Sequence, residues 1–343
     1  MNKTQEKFSP LQYLLLVAAT ALVALACVCT GSIAFPPAET FRVFWAAIAG
    51  LEAPHGNAHA ILLSVRLPRV LCVALAGASL ALCGAAMQGL LRNPLADGST
   101  LGVSSGASLG AVLAIAFGIQ IPGFPGSGAM GMAILFAFLS LLLILSLTHR
   151  LDHSLSTNTI ILMGVIFSMF ATSLISLIIT FAGEKVRPVV FWTMGSLAGG
   201  TYGGALSLLL ALAVCSAVLL YHRQELNAFS VGENNARHIG VNVRRVKLTI
   251  LIAVSVLIGV CVSIGGTIGF VGLVIPHITR MLTGPNHKKL LPASLFTGAI
   301  FLMLADLAAR TLFSPRELPI GVVTSLIGAV VFVYIFSSSG KGR

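Results

Sequence analysis

Charge is scarce in this sequence. Asp, Glu, Lys and Arg make up 9% of its 343 residues, where soluble domains carry about 25%. Ten acids and 21 bases cannot cover a water-facing surface for a chain of this length, which excludes a soluble globular fold. Long polar segments are lacking too. The widest gaps between apolar runs are 35–60, 183–200 and 222–245, far short of the 100 residues or so of a separate catalytic or nucleotide-hydrolysing domain. No G-x-x-x-x-G-K-[ST] phosphate loop occurs, so any energy source belongs to another chain or to an ion gradient. The six cysteines lie inside apolar runs without the CxxC spacing of a metal centre. They read as small core residues.

What is present is apolar. Hydrophobic residues are 57% of the chain and the mean hydropathy is +0.98. A spanning helix needs roughly 20 apolar residues. The runs 10–34, 61–84, 100–118, 127–148, 158–182, 201–221, 246–264, 267–282, 291–312 and 318–337 give an all-α integral membrane protein of about ten transmembrane helices, read as a single transmembrane domain over 1–343. The first run follows Lys3 and Lys7 but is too long for a signal-peptide core, and nine more follow it. With the N-terminus inside, 14 of the 21 bases fall on the cytoplasmic side and seven outside, the positive-inside asymmetry. Both termini are therefore expected in the cytoplasm. That distribution explains the net +11 without nucleic acid, and Arg244, Arg245 and Lys247 read as a topology anchor before the seventh span.

Gradient-coupled carriers place ionisable groups near the membrane midplane, and here the spans hold few. Asp306 and Arg310 form an i,i+4 pair near the outer end of the ninth span, and His277 reads as a structural hydrogen-bonder. The Leu101–Gly110 stretch, with Ser104, Ser105 and Ser108, suits either close helix packing or a polar pathway. In the loop after the sixth span, Ser230 and Glu233 are spaced as a capping box, Glu233 and Arg237 can pair at i,i+4, and Gly240 suits a helix stop. A short helix over 231–239 is expected. A helix that short needs something to pack on, either the protein's own cytoplasmic face or a partner.

Several strings then stand in register: Arg66-Leu-Pro-Arg69, Met87-Gln-Gly-Leu-Leu-Arg-Asn-Pro-Leu-Ala-Asp97, Gly269-Phe-Val-Gly-Leu-Val-Ile-Pro-His277, Leu290-Leu-Pro292 and Glu317-Leu-Pro-Ile-Gly-Val322. With the loop helix, they resemble the FecCD-type, BtuC-like permease family of ATP-binding-cassette (ABC) importers for ferric siderophores, haem and cobalamin, over about 60–335. The resemblance implies a multi-pass permease of the bacterial inner membrane, without catalysis or a cofactor of its own. It implies a homodimer or a heterodimer with a related permease, two ATPase subunits that use the ATP, and a periplasmic or lipid-anchored substrate-binding protein. It makes 227–240 the ATPase-coupling element, with Ser230, Gly232, Glu233, Ala236, Arg237 and Gly240. It gives Arg66, Arg69 and Arg310 to binding-protein docking, where arginines at a span end also snorkel. By the same analogy the fifth span and the segment from Leu109 onward flank a dimer axis, and 158–182 lines the path with Met163, Ser168, Met169, Thr172, Ser173 and Ser176. A gradient-driven carrier or channel is the alternative. An intramembrane enzyme would need a clustered catalytic set, which isolated His277 and Asp306 do not offer.

Overall fold

The computed structural model describes residues 8–31, 35–49, 58–120, 127–152 and 156–340, so the expected end of the first span at 32–34, and Lys3 and Lys7, lie outside the described residues. Among these, all regular structure is helical: α1 (Pro10–Cys29), α2 (Pro37–Ala49), α3 (Ala58–Leu91), α4 (Val103–Phe117), α5 (Gly128–Leu151), α6 (Thr157–Phe181), α7 (Val186–Thr193), α8 (Tyr202–Tyr221), α9 (Arg223–Val231), α10 (Glu233–His238), α11 (Val243–Gly265), α12 (Val271–Thr283), α13 (His287–Thr311) and α14 (Ile320–Gly340).

Local chemistry sets the boundaries. Ser9 and Gln12 close a reciprocal capping box on α1, and Pro10 takes the first helical position, where its missing N–H costs nothing. In α3 the turn Ile61–Arg66 is a π-turn, in which the Leu67 N–H reaches back to the Leu62 carbonyl. Pro68 follows immediately and can neither donate nor tolerate a tight turn beneath it, so the helix widens there and continues to Leu91.

Each of the ten apolar runs meets a helix. Seven of these helices are long and apolar enough to cross a membrane by themselves; α4, α12 and Ile320–Tyr334 of α14 are shorter. At 1.5 Å per residue α4 and α12 reach only about 20 Å, against a hydrocarbon layer of about 30 Å. Each is prolonged by irregular backbone, the 3-10 turn Gly98–Leu101 before α4 and residues 266–270 before α12. Apolarity alone did not show this, because these residues are as apolar or small as helical ones.

Burial orders the bundle. The most apolar window of α3 is 78% buried, with α11 and α13 also mostly buried, while that of α6 is 17% buried. The central helix α3 approaches its neighbours through glycine. A Cβ on Gly77 would run into the Gly298 carbonyl of α13, and one on Gly84 into the Gly272 carbonyl of α12. Helices in lipid associate by such close backbone contact. The six cysteines are free and buried, as their placement in apolar runs implied.

Candidate functional site

The two irregular stretches meet at one cavity of about 610 Å³, walled by α3, α4, α6, α11 and residues 266–270. Non-helical backbone at membrane depth is tolerated where it lines a cavity, which is the position of both. The lining is rich in hydroxyls, among them Ser99, Thr100, Ser104, Ser105, Thr172 and Thr267, and no Lys, Arg or His is among the lining residues. Asp97 contributes the single carboxylate, and one of its oxygens already accepts from the Ser99 N–H and hydroxyl and the Thr100 N–H. Among the other lining residues Phe270, at the bend just before α12, holds φ +67°, a left-handed conformation that a bulky residue rarely adopts.

The Leu101–Gly110 hydroxyls thus face a cavity, but of the six path residues expected on α6 only Thr172 lines it. Met169, Ser173 and Ser176 are exposed on the outer side of this chain, with Met163 and Ser168 half-buried. The Ser173 and Ser176 hydroxyls donate to carbonyls one turn back on their own helix. Of the segment from Leu109 onward, Leu109, Ala111 and Val112 are buried inside the chain, where α4 packs on α5, while Phe117 at its end is exposed.

The segment 227–240 differs from the capped helix that its spacing predicts. Ser230 is not an N-cap: α9 runs through it, and its hydroxyl donates to the Asn227 carbonyl at 2.6 Å. The chain breaks at Gly232, whose φ +136°, ψ +147° suits only glycine, and α10 starts at Glu233. The Glu233 carboxylate does not turn to Arg237. It pairs with Lys247 Nζ at 2.5 Å and accepts from the Thr157 hydroxyl at 2.9 Å. Lys247 is therefore no part of a surface anchor with Arg244 and Arg245: its side chain has no solvent exposure. Ala236 is buried, while Val231, Asn234, Asn235, Arg237, His238 and Ile239 are exposed.

At the other end of the bundle, the three arginines expected on a rim are buried. Arg66 donates to the Val28 and Cys29 carbonyls at 3.0 and 3.1 Å and covers the Phe35 ring. Arg310 donates to the Cys27 carbonyl. Together they satisfy the last turn of α1, whose carbonyls have no partner within the helix and form its negative end. Arg69 binds Asp306 at 2.9 Å and Glu317 at 2.8 Å. The i,i+4 pair of Asp306 and Arg310 is present but longer, at 3.5 Å, because Arg69 takes the closer place.

One further polar contact joins two of the sequence motifs. Pro276 sits inside α12 and offers no N–H to the Gly272 carbonyl. The Gln88 side-chain amide donates to the Gly272 and Leu273 carbonyls, at 3.4 and 3.1 Å, and its oxygen accepts from Arg280 at 2.9 Å. The structural hydrogen bonding expected of His277 falls to Gln88. Only Pro276 itself signalled, in the sequence, that some donor was required.

Comparison with known proteins agrees with this geometry. An ABC transporter permease protein of Bacillus subtilis, YvrB, named as uncharacterized, is 42% identical over 331 residues, 95% of this chain and 92% of its own. The cobalamin import permease BtuC of Halobacterium salinarum is 39% identical over 81% of this chain and 74% of its own. A transporter described as of the metal-chelate type, solved in an inward-facing conformation, superposes with a TM-score of 0.83 at 32% identity, covering 96% of this chain and all of that one. The model of the FecCD transport family matches residues 12–338, and the chain belongs to that family of ABC transporter permeases.

Proposed function

We propose that this chain is the permease subunit of an ATP-driven importer in a bacterial inner membrane. It carries a bulky metal chelate, a ferric siderophore, haem or cobalamin, by alternating access. The observation that supports this reading best is the cavity where the broken helices meet. Hydroxyls without a cation suit a ligand that brings its own polar groups and its own charge balance, and they hold it weakly enough to release it.

The permease works as a pair, with a second copy or a related chain. The exposed face of α6, carrying Met169, Thr172, Ser173 and Ser176, then meets its counterpart and closes the path from the other side. Two ATPase subunits bind the face that carries 227–240 and consume the ATP, and this chain holds no cofactor of its own. Val231 and Ile239, 67% and 72% exposed, are branched apolar side chains left open on an aqueous face and offer the contact. At the outer end a substrate-binding protein docks over Arg66, Arg69 and Arg310. Of the three, Arg69 is the accessible one in energetic terms, because its partner Glu317 is 44% exposed and an acidic group from the docking protein can replace it.

The test is gentle extraction of the tagged chain from its native membrane, followed by mass spectrometry of what co-purifies. An ATPase is expected in the eluate of the parent and is expected to be lost from Val231→Asp/Ile239→Asp. An eluate without any ATPase, from folded protein, would contradict the reading.

A further inference from the structure

The cytoplasmic segment is held to the bundle by a contact with unusual geometry. Lys247 lies in the second turn of α11 with its side chain wholly enclosed, and its ammonium is 2.5 Å from Glu233 at the start of α10. The same carboxylate oxygen accepts from Thr157, the first residue of α6, at 2.9 Å. One side chain of the short helix thus joins two spans. The Glu233 carboxylate therefore ties α10 to α6 through the Thr157 hydroxyl and to α11 through the enclosed Lys247 ammonium, and pulling an enclosed ion pair apart is costly. On its other side α10 meets α9 at Gly232, whose φ of +136° is a joint that only glycine adopts readily, bridged by the Asn235 amide donating to the Val231 carbonyl at 3.1 Å.

The two spans so held are walls of the cavity. α6 presents Thr172 and Ile175 to it, and α11 presents Ile258, Cys261 and Val262, each roughly 17–27 Å along the helix from the contact. We propose that Glu233, Lys247 and Thr157 form a tether that transmits movement of α10 to the cavity walls. Glu233 and Lys247 are then positioning residues inside the protein, not contacts with the ATPase. This rests on the reading of 227–240 as the segment that an ATPase moves.

Removing Lys247 alone leaves a carboxylate without its partner, and such a variant can fail for reasons of folding. The decisive variant is Glu233→Gln/Lys247→Met, which removes both charges of the pair; replacing both partners is tolerated far better than removing one. The parent is the complete complex with its co-purifying ATPase, the six native cysteines replaced by alanine and a reporter cysteine at Ser105→Cys in the cavity. The rate at which a methanethiosulfonate reagent labels the reporter is measured without nucleotide and with ATP and vanadate, alongside the thermal midpoint. In the parent, nucleotide is expected to change the labelling rate about tenfold, within the range typical of coupling between distant sites. The double variant is expected to keep the parental thermal midpoint and lose the response. A response that survives in the double variant would overturn the tether and leave the coupling reading intact. A parent whose labelling ignores nucleotide while its ATPase is bound and turning over would overturn both.

Discussion

Pro276 has no N–H to give, and without Gln88 the Gly272 carbonyl one turn back would stand unpaired inside the bundle. Gln88→Leu is therefore expected to lower stability by about 1–3 kcal/mol, the cost of an unsatisfied buried acceptor, read from thermal or denaturant unfolding in detergent. A variant as stable as the parent would show that the carbonyl finds another donor. The outer cluster makes a larger prediction. Arg69→Met leaves Asp306 with only the longer contact to Arg310 and is expected to lose about 3–5 kcal/mol, as broken buried pairs do. Adding Asp306→Asn to that variant should recover part of the loss, and an additive result would refute the pairing. None of these partners was legible in the sequence. Arg69 and Asp306 are 237 residues apart and Gln88 and Leu273 are 185 apart. Local spacing exposed only neighbours: it identified Asp306–Arg310, which is present but second-best, and Glu233–Arg237, where Lys247 takes the place of Arg237.

At the scale of elements, apolar runs made the ten helices legible, since a bilayer leaves little alternative. The run 267–282 is itself short and Gly265, Gly266, Gly269 and Gly272 blur its start, which marked α12, while the run 100–118 gave no such sign for α4. The break at Gly232 was hidden as well: Ser230 and Glu233 match a capping box in composition, while the backbone turns at the glycine between them. Glycine itself provides the test. Gly84→Ala is expected to destabilise or abolish the fold, because the new Cβ meets the Gly272 carbonyl. At Gly203 in α8 the nearest atom is 3.9 Å away, so Gly203→Ala should be neutral or stabilise by up to about 1 kcal/mol. Measuring expression and thermal midpoint for both variants separates close packing from mere glycine content. Equal effects at the two sites would remove the crossing at Gly84 from the account.

For the whole molecule, the charge balance and the hydropathy are enough to put the chain in a membrane, and the motifs in register are enough to give its family. The cavity was half visible. Its serines stood out in the Leu101–Gly110 stretch, but the walls supplied by Asp97, Thr193 and Thr267 come together only through the broken helices. In the proposed function the faces left open, the α6 surface and the exposed residues around α10, make contacts with other chains. The most direct measurement is uptake into vesicles holding the purified chain, with and without its co-purifying ATPase and binding protein. Ferric siderophore, haem and cobalamin would each be offered under ATP alone and under proton or sodium gradients alone. The account predicts accumulation of one of these chelates that requires ATP and the ATPase and ignores the gradients. Accumulation driven by a gradient in vesicles that contain only this chain would contradict it.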